Sequence, residues 1–178
     1  MYMKDFFDSV ILDMNCTESV MPKQDDVVSD ENIICRLKQI GDLEQKDRDG
    51  RTLLINASCY ARKDVVRFLL KKGVDVNARD NDDFTALHAA IESENIEIIK
   101  MLLEAGADIN AKNKFGNSPL MICNLATNKD VFEVLISNGA DILQKNNYGV
   151  SALDVFACSE DIIKILKSGV QGGGSAVV

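Results

Sequence analysis

One spacing restricts the possible folds of this chain more than any other property: a motif that returns every 33 residues. It reads Asp47-Arg48-Asp49-Gly50-Arg51-Thr52-Leu53-Leu54, then Asp80-Asn81-Asp82-Asp83-Phe84-Thr85-Ala86-Leu87. It continues as Asn113-Lys114-Phe115-Gly116-Asn117-Ser118-Pro119-Leu120 and Asn146-Asn147-Tyr148-Gly149-Val150-Ser151-Ala152-Leu153. A second landmark recurs 26 residues into each unit, as Gly73-Val74-Asp75-Val76-Asn77, Gly106-Ala107-Asp108-Ile109-Asn110 and Gly139-Ala140-Asp141-Ile142. A fixed period of this size marks stacked units, each of which contacts only its neighbours.

The chemistry within a unit follows from residue types. Asp or Asn followed three residues later by Gly predicts a tight turn, in which the first side chain bonds nearby backbone and glycine accepts positive φ. Asp83 takes the glycine's place in the second unit, and Asp tolerates the left-handed region better than most residues. Thr52, Thr85, Ser118 and Ser151 stand at N-cap positions, and Pro119 falls just inside its helix, where a missing N–H costs nothing. A short apolar helix follows, such as Leu87-His88-Ala89-Ala90-Ile91. A second helix carries Val65-Val66 and Phe68-Leu69-Leu70, or Ile98-Ile99 and Met101-Leu102-Leu103, at helical spacing. Gly73, Gly106 and Gly139 end those second helices. A turn plus two short antiparallel helices cannot bury its apolar stripe alone, but stacked units share one core.

This pattern resembles the ankyrin repeat over about 120 residues, from Asp47 to about Gly169. The resemblance implies an all-α solenoid of helix-turn-helix units with β-turn tips. It also implies a non-catalytic protein that binds other proteins on a concave face formed by the tips and inner helices. Full units are expected at 47–79, 80–112 and 113–145. The ends depart from the pattern. In unit 146–169 the interval from Leu153 to Ile162 is two residues shorter than that from Leu87 to Ile98, and Lys164, Lys167 and Ser168 make its last helix polar, which suits a C-terminal cap. Upstream, 30–46 reads as a degenerate first repeat, with a second helix over Glu31 to Ile40 and Gly41-Asp42-Leu43 echoing the later landmark. Within 1–29, Phe6, Phe7, Val10, Ile11 and Met14 form a stripe expected to be a capping helix, followed by an acidic loop. Residues 170–178 have the composition of a flexible tail.

Charge and cysteines exclude several functions. The formal net charge is −8, of which residues 1–31 contribute −6 and the rest −2. No concentrated basic face is available for phosphate, so nucleic acid is not an expected partner. No apolar stretch approaches the roughly 18 residues of a membrane span, and the N-terminus lacks the basic region of a signal peptide. The five cysteines are odd in number and never spaced C-x-x-C, which predicts core thiols of a cytoplasmic protein and no disulfide framework or zinc site. The single histidine, His88, has no serine or cysteine motif beside it; the resemblance makes it a structural residue bonding turn groups near the helix start. No phosphate-binding glycine motif occurs. No catalytic residue, metal or other cofactor is therefore expected.

A linear stack sets equivalent side chains in columns, and these yield the candidate binding surface. Lys46, Arg79, Lys112 and Lys145 form one basic column and Arg48, Asn81, Lys114 and Asn147 another, two residues on. Phe84, Phe115 and Tyr148 bring aromatic rings to the turns, and Tyr60 ends the first inner helix on the same face. Arg51, Asn117 and Glu92 complete the set. Tyr and Arg are enriched at binding hot spots. The expected function is protein binding by a chain monomeric on its own. Two sharper versions are an inhibitor or immunity protein that neutralises a toxin or enzyme with its acidic segment, and an effector that recruits host factors.

Overall fold

The computed structural model describes residues 29–123 and 129–156. They contain eight helices: α1 (Asp30–Leu37), α2 (Leu53–Cys59), α3 (Lys63–Lys71), α4 (Ala86–Glu92), α5 (Ile96–Glu104), α6 (Pro119–Ile122), α7 (Lys129–Ser137) and α8 (Ala152–Phe156). They form two layers. Helices α2, α4, α6 and α8 stack as the inner layer, and α1, α3, α5 and α7 stack as the outer one. The expected N-terminal capping helix, the polar C-terminal helix and the tail lie outside the described residues.

The apolar stripes meet between the layers. Val65, Val66 and Leu69 of α3, Ile98, Ile99 and Leu102 of α5, and Val131, Phe132 and Leu135 of α7 are buried against Leu53, Leu54, Leu87 and Leu120. Small side chains such as Ala57, Ala86 and Ala90, all nearly inaccessible, allow the inner helices to approach closely. Outer helices end as predicted: Gly73, Gly106 and Gly139 have φ of 76°, 89° and 90°, and their N–H groups bond carbonyls three residues back. The connection between the helices of a unit has a signature that escapes sequence reading. Ala61 and Glu94, 33 residues apart, both adopt φ of 53° without being glycine.

Three details depart from the regular unit or from the expected core. Gly41 does not take a left-handed conformation. Its motif, Gly-Asp, lacks the residue that separates Gly73 from Asp75, so α1 ends at Leu37 and Gly41 joins the connection beyond it. Cys35 is not a core thiol: Ile33 and Leu37 point inward, and Cys35, midway between them on α1, is exposed. Finally, the first helix of unit 113–145 is a single turn, α6, after which Cys123 is extended.

Candidate partner-binding surface

The turn tips are built by one repeated device. Asp47, Asp80, Asn113 and Asn146 each accept, through Oδ1, the N–H groups two and four residues on, at 2.8–3.0 Å. The residue three on is left-handed in every unit, as Gly50, Asp83, Gly116 and Gly149. Backbone bonds then tie tip to tip: Asn81 N–H to Asp49 C=O, Lys114 N–H to Asp82 C=O and Asn147 N–H to Phe115 C=O, at 2.9–3.1 Å.

Side chains repeat the tie in parallel ladders. Lys46 Nζ donates to the Arg79 carbonyl at 2.8 Å, Arg79 to the Lys112 carbonyl at 2.7 Å, and Lys112 Nζ to the Lys145 carbonyl at 2.7 Å. Asn81 and Asn147 amides donate back to the carbonyls of Arg48 and Lys114, at 3.2 and 2.9 Å. At the second landmark Glu44, Asn77 and Asn110 accept the N–H groups of Asp75, Asp108 and Asp141. The columns expected from the period are therefore real, and much of their polar chemistry is spent holding unit to unit.

The rings differ among themselves. Phe84 is half-buried and stacks on His88 with centroids 4.8 Å apart. Phe115 is 45% exposed and Tyr148 73%; the Lys114 ammonium lies 5.2 Å from the Phe115 ring centroid. Between units one and two, the side formed by the inner helices and tips opens into a cleft of about 230 Å³ lined by Arg51, Ile55, Cys59, Asp80, Asp82, Phe84, Ala89 and Glu92.

The same period appears in sequence comparison. Residues 27–113 match the family of ankyrin repeats in three copies, and residues 115–147 match a further ankyrin repeat. The chain belongs to the ankyrin-repeat family. No curated protein matches it. Ankyrin repeats are generally protein–protein interaction modules and typically have no catalytic role. Among the described residues no helix is long and apolar enough to cross a membrane.

Within this ankyrin stack the candidate residues divide by what their side chains meet. Lys46, Arg79, Lys112, Asn81 and Asn147 are rungs of the ladders. Lys114 pairs with the Asp82 carboxylate, and Asn117 accepts from Asn146 Nδ2 at 2.9 Å while its carbonyl faces His88. Arg51, Phe84 and Glu92 come together around the concave cleft, with Tyr60 next in the chain at the end of α2. Arg51 lies 3.6 Å from Asp80, and burial pushes the Tyr60 hydroxyl above its usual pKa. Phe115 and Tyr148 stand exposed on the last two tips. The side chains of Arg48 and Lys145 take part in no hydrogen bond or ion pair among the described residues. Cys59, Ile55 and Ala89 were absent from the sequence-based set: only the packing of α2 against α4 brings these helix residues together as a cleft floor.

His88 is fully buried. Its Nδ1 accepts the Thr85 N–H at 3.3 Å, closing a capping box, so the neutral ring carries its proton on Nε2, 3.4 Å from the Asn117 carbonyl. It thus bonds the tip of the next unit as well as its own helix start. Burial is the main cause that lowers its pKa to about 4. A histidine used up in this way is a structural pin.

Proposed function

We propose that the chain binds another protein through the concave side of its ankyrin stack and its turn tips, and does no chemistry on it. The single observation that carries this reading is the exposure of Phe115 (45%) and Tyr148 (73%) on consecutive tips. Rings that far out of the core contribute little to folding, whereas an amphipathic tyrosine is the type that anchors interfaces. A standard interface of about 800 Å² per side would extend from these rings along the tips. The ladders narrow the charged part of the surface. Lys46, Arg79 and Lys112 already donate to carbonyls, so Arg48 and Lys145 are the cations best placed to meet a partner. Such contacts govern orientation and on-rate more than affinity. The protein is taken to act as a monomer in the cytoplasm; the three described cysteines, Cys35, Cys59 and Cys123, are free thiols, which suits a reducing compartment.

The test is a pull-down to obtain the partner, followed by calorimetry with the double variant Phe115→Ala/Tyr148→Ala. Loss of about 2 kcal/mol or more of binding energy, roughly thirtyfold in Kd, is expected. Unchanged affinity with an unchanged circular dichroism spectrum rejects the reading. For the inhibitor version, two acids of the acidic segment are described: Glu31, which is exposed, and Asp30. Asp30 faces inward to the stack, pairing with Arg62 at 3.3 Å and accepting the Asp64 N–H.

A further inference from the structure

The cleft between units one and two is a partly open depression in the broader surface, and its lining has a definite chemistry. Its floor consists of Ile55 and Ala89, both buried, with half-buried Cys59. Small residues at Cys59 and Ala89 leave the space that larger side chains on facing helices would fill. One wall is the Phe84 ring. At the rim stand three carboxylates, Asp80, Asp82 and Glu92, and one cation, Arg51.

These charges are not equivalent. Arg51 is met by Asp80, whose side chain is 6% exposed, at 3.6 Å. Asp82 is met by Lys114. Glu92 is exposed and takes part in no hydrogen bond or ion pair among the described residues. Its charge reaches the cleft floor all the same: it helps raise the Cys59 thiol pKa, after the larger effect of burial and against the effect of Arg51. The cleft therefore offers one uncompensated carboxylate, a ring wall and an apolar floor. Its volume, about 230 Å³, is below the roughly 300–1,000 Å³ of a pocket for a drug-sized ligand. It suits a single long side chain.

We infer that this cleft receives one basic side chain, an arginine, from the partner, with the guanidinium at Glu92 and the aliphatic stem between Phe84 and the Ile55–Cys59–Ala89 floor. Arginine matches each wall: a planar donor fork suits a carboxylate and stacks on a ring, and its methylenes bury against apolar surface. The inference rests on the reading that the chain binds a protein, and adds which residue type anchors it between units one and two, one unit before Phe115.

The test uses the full chain and three pentapeptides that differ only in the central residue: arginine, norleucine or glutamate. Titration is followed in ¹H–¹⁵N spectra through the amides of Cys59, Phe84, Ala89 and Glu92. The arginine peptide is expected to shift these amides with a millimolar Kd, as suits one exposed charged contact plus a ring. The norleucine and glutamate peptides should shift them at least about threefold more weakly, and Glu92→Lys should weaken the arginine peptide about tenfold. Glu92 is exposed, so an unchanged melting curve verifies the fold of the variant. No shift with the arginine peptide, equal shifts with glutamate, or indifference to Glu92→Lys each overturns the inference. The Phe115→Ala/Tyr148→Ala variant should leave the peptide response intact. If that variant loses the partner while the peptides fail, the protein-binding reading stands and the arginine cleft falls.

Discussion

Units two and three carry the same 33-residue code but are built unequally. In unit two, Thr85 and His88 close a reciprocal cap, α4 runs seven residues, and every apolar residue of that helix is buried. In unit three, the equivalent of His88 is Met121, the Ser118 hydroxyl is buried with no hydrogen-bond partner, and α6 runs four residues. Exposure follows the same division. All the exposed large hydrophobics among the described residues (Phe115, Leu143, Tyr148, Val150 and Val155) belong to units three and four. What repeats faithfully is the tip, because its Asp or Asn must bond two N–H groups and its ladder must meet the next tip. What drifts is the helix start, because stacking on a neighbour can hold a poorly capped helix in place. The first half of the stack is thus the better-satisfied scaffold, and the second half carries more of the surface offered outward.

The largest expected effect tests the pin that joins the two units. His88 has its folded pKa depressed from the usual 6.5 to about 4. Below pH 6.5 the unfolded chain therefore takes up a proton that the folded chain refuses, and stability falls as pH drops from about 6.5 to 4. The loss amounts to order 3 kcal/mol by pH 4. Denaturant melts across that range should show the slope in the parent and lose it in His88→Gln. An unchanged slope would mean that other groups set the acid sensitivity. Asp154, which caps α8 in unit four by accepting from the Ser151 hydroxyl and N–H, is held below the usual carboxylate pKa, chiefly by the hydroxyl bond. The stability it contributes is present above about pH 4 and is lost only at lower pH, so the two caps titrate in separate windows.

A smaller effect distinguishes the tip from the helix end. Gly116 and Gly139 both have left-handed φ, 77° and 90°. A Cβ at Gly116 would lie 2.7 Å from the Asn147 backbone nitrogen, whereas nothing lies within 4 Å of one at Gly139. Gly139→Ala should cost about 1 kcal/mol, for conformation alone. Gly116→Ala should cost about 2 kcal/mol or more, since the ladder between units three and four must shift. Equal costs in urea unfolding would show that the tips are not held in register as described.

The smallest effect concerns the caps of units one and three. Thr52 accepts the Ile55 N–H at 3.3 Å, and Thr52→Ala should cost about 1 kcal/mol. Ser118→Ala removes an unpartnered buried hydroxyl and should be neutral or slightly stabilising. If both changes destabilise equally, the contrast between the units is wrong.

Much of the fold was legible in advance, and the reason is local. The tip turns, the N-cap residues and the glycine helix ends depend on bonds between residues two to four apart, so residue types reveal them. The left-handed Ala61 and Glu94 were not legible, because neither residue type announces that conformation and the flanking helices impose it. The candidate site was legible in its columns but not in its use. Lys46, Arg79 and Lys112 read as a basic column open to a partner until the tips stack closely enough for each to reach a carbonyl of the next unit.

The sequence by itself determined the period, and with it the family, the two-layer stack and the composition of each column, since a repeat that cannot bury its own stripe must stack. Only the tertiary structure decided which column members are bound within the stack and which face outward. It also decided that small residues at Cys59 and Ala89 leave a cleft beside Phe84 and Glu92. Those outcomes depend on distances between residues some 33 positions apart in the chain, and such distances are set by how the units pack.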